Sequence, residues 1–300
     1  MSGLARPVAG PIVRPPIAER LAGRRERRRT VDRAWRGLAL GATIVAVVPL
    51  AAVLLFVAVK GAGALNPDLL TKPPKALGVG GGALNSILGS AQMVALGALL
   101  AVPAGILAGV YVAEFAGAQA ARVVRFASDV MVGIPSILVG IFVYTILVLP
   151  FKQFNAFAGS VALAIIMVPV IARTTEEMLR LVGRELREGS LALGLPTWRT
   201  VVSVVIPTGL TGILSGVMLA LARAAGETAP LLFTALGSRL VNVGDFGKPM
   251  DALPVFIYNG ARQPIAALNE QAWGAALLLV LLVLGINVAV RARSWARRAG

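Results

Sequence analysis

Glu188-Gly189-Ser190-Leu191-Ala192-Leu193-Gly194, followed after nine residues by Val204-Val205-Ile206-Pro207, is the stretch on which the fold turns. It is polar and punctuated by glycine, yet it lies between apolar runs in a chain of mean hydropathy +0.80. Around it, Arg173–Arg199 carries five arginines and four glutamates (Glu176, Glu177, Glu185 and Glu188). Met178, Leu179, Leu181, Val182 and Leu186 recur at three-to-four spacing and Glu176 stands four before Arg180, so the pattern predicts helix. The helix should end at Leu193-Gly194-Leu195-Pro196. Gly194 can take the positive φ that stops one helix, and Pro196 suits the first turn of the next. Two short helices meeting at a defined corner are expected, lying on one face of a membrane. Such a knob can fit a groove in another protein.

Composition sets the frame for that knob. Of 300 residues, 57% are apolar and 14% charged, well outside the balance of a soluble globular chain. Net charge is +15, but aromatic residues are few and the basic residues follow topology, which argues against a nucleic-acid groove. Cysteine and histidine are absent. That removes disulfides, thiolate or imidazole metal sites and any Ser-His or Cys-His nucleophile pair. No Gly-x-x-x-x-Gly-Lys-Ser/Thr loop occurs, so no nucleotide site is expected in this chain.

A bilayer crossing needs about 20 apolar residues, and six runs meet or approach that length. They are Gly37–Val59, Ile87–Ala113, Val130–Pro150, the shorter Phe157–Ala172, Val201 to about Ala222, and Ala272–Val290. The expected fold is therefore an all-α polytopic membrane protein with six transmembrane helices and an elbow between the fourth and fifth. Gly97, Ala98, Ala101, Ala104, Gly105, Ala108 and Gly109 in the second run suit close helix approach. Pro103, Pro135 and Pro169 should kink their helices. Ten arginines precede the first run, two follow the second, five follow the fourth and four lie in the tail, leaving eight of the 29 basic residues for the other side. The bias places both termini and the elbow in the cytoplasm. Residues 1–36 read as a disordered Arg/Pro-rich leader held at the anionic leaflet lipids, 37–290 as the membrane domain with its coupling segment at about 173–207, and 291–300 as a basic tail.

A second polar island is Ala222-Arg223-Ala224-Ala225-Gly226-Glu227-Thr228-Ala229-Pro230-Leu231-Leu232. Arg223 and Glu227 share a helix face. Counted from Pro207 at 1.5 Å per residue, Arg223 should stand about 24 Å along the helix, in the outer part of the hydrocarbon layer. A charge there tends to face a partner or an aqueous cavity, and a guanidinium fork can engage two oxygens of an oxyanion. Two readings stand: a residue lining an anion path, or an arginine snorkelling to the outer interface with Glu227 as its partner. Arg173, at the end of a short run, carries the same pair of readings.

The first stretch resembles the coupling motif of binding-protein-dependent ABC importer permeases: Glu-Ala-Ala, three residues, Gly, nine residues, then an apolar triplet ending in Leu-Pro. Here Gly189 and Ser190 replace the alanines and Ile206 the leucine. The resemblance implies a subunit with no ATP chemistry and no cofactor of its own, ATP being bound by partner ATPases. Glu188, Gly189, Ser190, Gly194, Pro196 and Pro207 would then shape the part that docks into the ATPase. The second stretch resembles the signature of the phosphate importers' second permease subunit (PstA type), as does Pro169-Val170-Ile171-Ala172-Arg173-Thr174-Thr175-Glu176-Glu177. That implies the six-span type I importer fold in a bacterial inner membrane. Its implied partners are a homologous PstC-type permease, two PstB-type ATPases and an extracytoplasmic PstS-type phosphate-binding protein. Arg223, Glu227 and Arg173 become candidates for the anion path. A permease for sulfate or molybdate is the nearest alternative, and an ion-coupled secondary transporter a more distant one.

Overall fold

The computed structural model describes residues 17–75 and 81–296, so the leader up to residue 16, residues 76–80 and the last four residues lie outside the described residues. Every named element is helical. α1 (Ile17–Ala62) opens the chain, and its part up to Phe56 forms a compact unit separate from residues 57–300. Residues 17–36, read from sequence as part of a disordered leader, lie in this helix. Arg, Glu, Leu and Ala dominate from Ile17 onward and are good helix formers, and Asp32 pairs with Arg36 one turn on at 2.8 Å. From Leu38 to Phe56 its large apolar side chains are exposed, as a helix facing lipid requires.

In the second unit a short α2 (Pro67–Thr71) precedes α3 (Leu84–Val110), which continues through a π-helical turn, Tyr111–Phe115. α4 (Ala118–Gly133) follows. Then come α5 (Ser136–Val143), a second π turn at Tyr144–Val148 and α6 (Leu149–Phe151). α7 (Ala156–Arg180), α8 (Arg184–Ala192) and α9 (Thr197–Thr200) lead through a third π turn, Val201–Val205, into α10 (Ile206–Ala225). α11 (Ala229–Thr234), α12 (Leu253–Ala261) and α13 (Ala266–Ala296) complete the chain. Among the described residues, five helices are long and apolar enough to cross a membrane, six if a bent pair counts as one crossing.

That bent pair corrects the third expected span. The run Val130–Pro150 is not one helix: Ala118–Gly133 and Ser136–Phe151 meet at 98°. Pro135 excludes the α conformation at Ile134, which is extended at φ −70, ψ 130. Pro103 and Pro169 are carried inside α3 and α7 without such a break. At the centre α3 and α7 run parallel and very close. A Cβ on Gly97 would stand 3.0 Å from the Ser160 carbonyl oxygen, one on Gly105 2.7 Å from Ile171 Cβ, and one on Gly109 2.6 Å from the Ala172 oxygen. These are the small residues that the sequence marks for close approach. α10 packs antiparallel to α7, with Gly209 against Leu179 and Gly216 against Thr174. Met93, Leu163, Met167, Ile171, Val217 and Leu231 fill the shared core.

Candidate functional site

The elbow grows out of α7, which stays helical through its charged end to Arg180 before the chain breaks at Leu181–Gly183. α8 ends at a corner where Gly194 takes φ +85, a left-handed conformation unfavourable for residues with a Cβ. The Gly194 amide donates to the Leu191 carbonyl at 2.9 Å and the Leu195 amide to Ser190 at 3.3 Å, closing the helix end. Pro196 is extended and caps α9. One expectation is corrected here. The second surface helix does not exist as a separate element: α9 runs on through Val201–Val205 and α10 as a single span, Thr197–Ala225. Only α8 forms the elbow, and Pro207 lies inside that span at the start of α10.

Two polar attachments hold α8. Ser190 is buried and its hydroxyl lies 3.0 Å from that of buried Thr200, joining the end of α8 to α9. Arg187 secures the beginning. Its Nε and Nη2 reach the two oxygens of Glu114 at 3.2 and 2.7 Å, and Nη2 also donates to the Leu179 carbonyl at 2.8 Å. Nη1 donates to the Val182 carbonyl. Glu188 and Gly189 are exposed. Around them Leu193 is 85% and Leu181 77% exposed, with Trp198 and Leu191 also open, so the elbow presents apolar side chains beside a free carboxylate.

A layer of ion pairs lies just inside this end of the bundle. Glu176, buried, receives Arg125 of α4 at 2.6 Å and Arg180 at 2.9 Å. Arg173 bridges Asp129 of α4 at 2.7 Å and Glu177 at 3.0 Å. Arg173 is thus held by two carboxylates, while its side chain stays 41% exposed.

Arg223 and Glu227 sit elsewhere, and deeper than their count from Pro207 implies. Gly216 meets Thr174, next to Arg173. Arg223 is seven residues further, about 10 Å beyond the ion-pair layer, level with the middle of α7 rather than in the outer part. It occupies the last turn of α10, whose helix stops at Ala225, and Glu227 lies in the break before α11. α11 continues to the far end, where the Asn155 amide donates to Thr234. The pair therefore sits where the span Thr197–Ala225 ends and the chain breaks before α11. Arg223 Nε and Glu227 Oε1 are 3.5 Å apart, and the arginine side chain is 42% exposed. A loose, open guanidinium remains able to take another anion.

Sequence reading alone missed Glu114, Asp129, Arg125 and Arg187. The available signal was weak: acidic residues at the ends of apolar runs, beside arginines that also serve topology. At the end opposite α8, the loop residue Asp251 accepts from Ser86 Oγ and lines a cavity of about 330 Å³ with Asn85, Arg239 and Gln271. Burial raises its pKa to about 6, the hydrogen bonds from Ser86 and the Ala252 amide opposing the rise.

This helical bundle, with the short α8 between two spans, shares its fold with permeases of type I ABC importers. Two structures described as inward-facing conformations of the MetNI methionine ABC transporter superpose with TM-scores of 0.54 and 0.56. Each is 21% identical and covers 71% of this chain and 93% of theirs. Residues 101–293 match the family described as "Binding-protein-dependent transport system inner membrane component". Relatives named "Phosphate transport system permease protein PstA" occur in Pasteurella multocida, 43% identical over 77% of this chain and 83% of theirs, and in Haemophilus influenzae, 39% over 88% and 94%. A relative named PstA 1 from Mycobacterium tuberculosis is 42% identical over 70% of this chain and 69% of its own. The chain belongs to the binding-protein-dependent inner-membrane permeases, within them to the PstA family.

Proposed function

We propose that this chain is one of two transmembrane halves of an ATP-driven phosphate importer, with both termini and the elbow on the cytoplasmic side of a bacterial inner membrane. A PstC-type permease forms the other half. A pair of PstB-type ATPases binds and hydrolyses the ATP, and a PstS-type protein delivers phosphate from outside. The chain itself is not an enzyme and needs no cofactor. α8, with Glu188, Gly189 and Ser190 and the corner Gly194–Pro196, docks on the ATPase. The span that begins at Thr197 and includes Pro207 carries its displacement inward, from the elbow to the break at Gly226. Arg223, Glu227 and Arg173 belong to the anion path.

The observation that supports this best is the Arg223–Glu227 pair, open and loosely joined at a helix break in mid-bundle. An arginine guanidinium offers an oxyanion two parallel N–H donors. The nearby carboxylate keeps the site from binding that anion too tightly to release it. Arg223→Gln should abolish phosphate uptake by the assembled complex while the ATPases still co-purify, as read by radiolabelled phosphate accumulation in cells lacking other phosphate importers. Wild-type uptake in that variant would remove Arg223 from the path. Competition by excess sulfate in the wild-type assay distinguishes phosphate from a broader oxyanion specificity.

A further inference from the structure

We propose that Arg187 is a positioning residue that makes the elbow move as one body with α3 and α7, so that a push on α8 reaches the bundle through the Glu114 carboxylate. The proposal rests on the reading of α8 as the docking element. Without Arg187 the chain between α7 and α8 has the makings of a hinge. It is only three residues, Leu181–Gly183, and Gly183 has open space around it. A hinge there would let α8 swing while α7 stood still.

The guanidinium occupies this gap. It contributes a side-on fork to Glu114, whose side chain is 8% exposed, and hydrogen bonds to the Leu179 carbonyl in the last turn of α7 and the Val182 carbonyl in the link to α8. The Leu179 carbonyl also accepts from the Val182 amide at 3.1 Å, so the guanidinium adds a second bond to the acceptor that closes the helix end. Glu114 lies in the π-helical turn Tyr111–Phe115 that ends α3, itself packed along the whole of α7. Three elements thus share one cation. A lysine has the charge but not the planar fork needed to hold both carboxylate oxygens and the carbonyls together. Ser190 and Thr200 join the other end of α8 to α9 and α10, so the elbow grips α3, α7 and α10 at once.

The test uses the full complex in lipid nanodiscs. The chain contains no cysteine, so spin labels at Gly117→Cys, beyond α3, and Glu185→Cys, on α8, report one distance. Arg187→Gln, Arg187→Lys and the near-isosteric Glu114→Gln are compared with wild type. The expected result is a narrow distance distribution in wild type and a broad one in each variant. Phosphate moved per ATP should fall about tenfold, within the range of a conformational coupling free energy, while the ATPases still co-purify. The double variant Arg187→Gln/Glu114→Gln should be no worse than Arg187→Gln, because both remove the same link. Narrow distances with wild-type phosphate per ATP in Glu114→Gln would overturn the proposal, as would additive losses in the double variant. Failure of a Leu193→Cys elbow to crosslink to the ATPase would instead remove the docking reading. The distance measurement would then still decide whether Arg187 locks α8.

Discussion

Asp251 shows how one buried carboxylate can give the whole molecule a pH dependence. Its pKa is raised from 3.8 to about 6, mainly by burial, so the fold favours the protonated form. Below about pH 4 the group is protonated whether the chain is folded or unfolded and takes nothing from stability. Between there and about pH 6 the native state holds more protons than the unfolded chain, so stability falls as pH rises. Above pH 6 the full penalty, roughly 3 kcal/mol, applies. Asp251→Asn keeps an acceptor for Ser86 and removes the charge. Its melting temperature should exceed that of wild type at pH 7.5, and the difference should close by pH 4, as read by intrinsic fluorescence of the purified complex. An Asp251→Asn variant with a pH-independent offset would show that burial of the charge is not the cause. Nothing in the sequence marks Asp251, because its surroundings come from Asn85 and Ser86 of α3, more than 160 residues away. Arg223 and Glu227 were legible for the opposite reason: charges amid an apolar run draw notice by themselves. Their depth was not legible. It depends on where α10 meets α7, and counting from Pro207 took as a membrane boundary a residue that lies one to two turns outside the ion-pair layer.

Among the elements, the elbow was the most readable and its corner the most specific. Gly194 takes φ +85 with nothing within 4 Å of where a Cβ would stand, so substitution there meets no clash with neighbours and acts through the backbone alone. A left-handed residue with a Cβ costs about 1–2 kcal/mol, and a β-branched one is a sharper outlier. Gly194→Val should therefore reorient α8 while the spans stay packed. Co-purification of the ATPase should drop several-fold with membrane content of the chain unchanged, measured by affinity pull-down against an immunoblot. Normal recovery of the ATPase would mean that the corner does not set the docking shape. Turn chemistry of this kind is local and so can be read from four residues. The third span could not be read in the same way. Its hydropathy runs without interruption from Val130, and only Pro135, acting on the backbone of Ile134, divides α4 from α5. Apolar periodicity records what lipid accepts, not where the axis turns. The π turns at Tyr111–Phe115, Tyr144–Val148 and Val201–Val205 were invisible for a related reason, since one extra residue in a turn leaves no compositional mark.

On the scale of the whole molecule, the ends of the bundle differ in charge, and the difference has a direct experimental consequence. Arg122, Arg125, Arg173, Arg180, Arg184, Arg187 and Arg199 collect around the elbow, and several are consumed in ion pairs with Glu114, Asp129, Glu176 and Glu177. Pairing does not cancel their topological effect, because orientation responds to lysine and arginine near the span ends rather than to net charge. The far end carries Lys60, Lys72, Lys152, Arg239, Lys248 and Arg262 among longer loops, with Lys72 and Lys248 bound to Asp68 and Asp245. If the elbow faces the cytoplasm, a single cysteine at exposed Leu193 must be shielded from a membrane-impermeant maleimide in intact cells. One at exposed Leu240, in the loop between α11 and α12, must react. Permeabilising the membrane should make both positions reactive, and the absence of native cysteine leaves no background from this chain. The opposite pattern, Leu193→Cys labelled from outside and Leu240→Cys protected, would turn the molecule over. It would put the elbow out of reach of any cytoplasmic ATPase, and with it would go the route by which ATP hydrolysis is proposed to reach the helix break at Gly226.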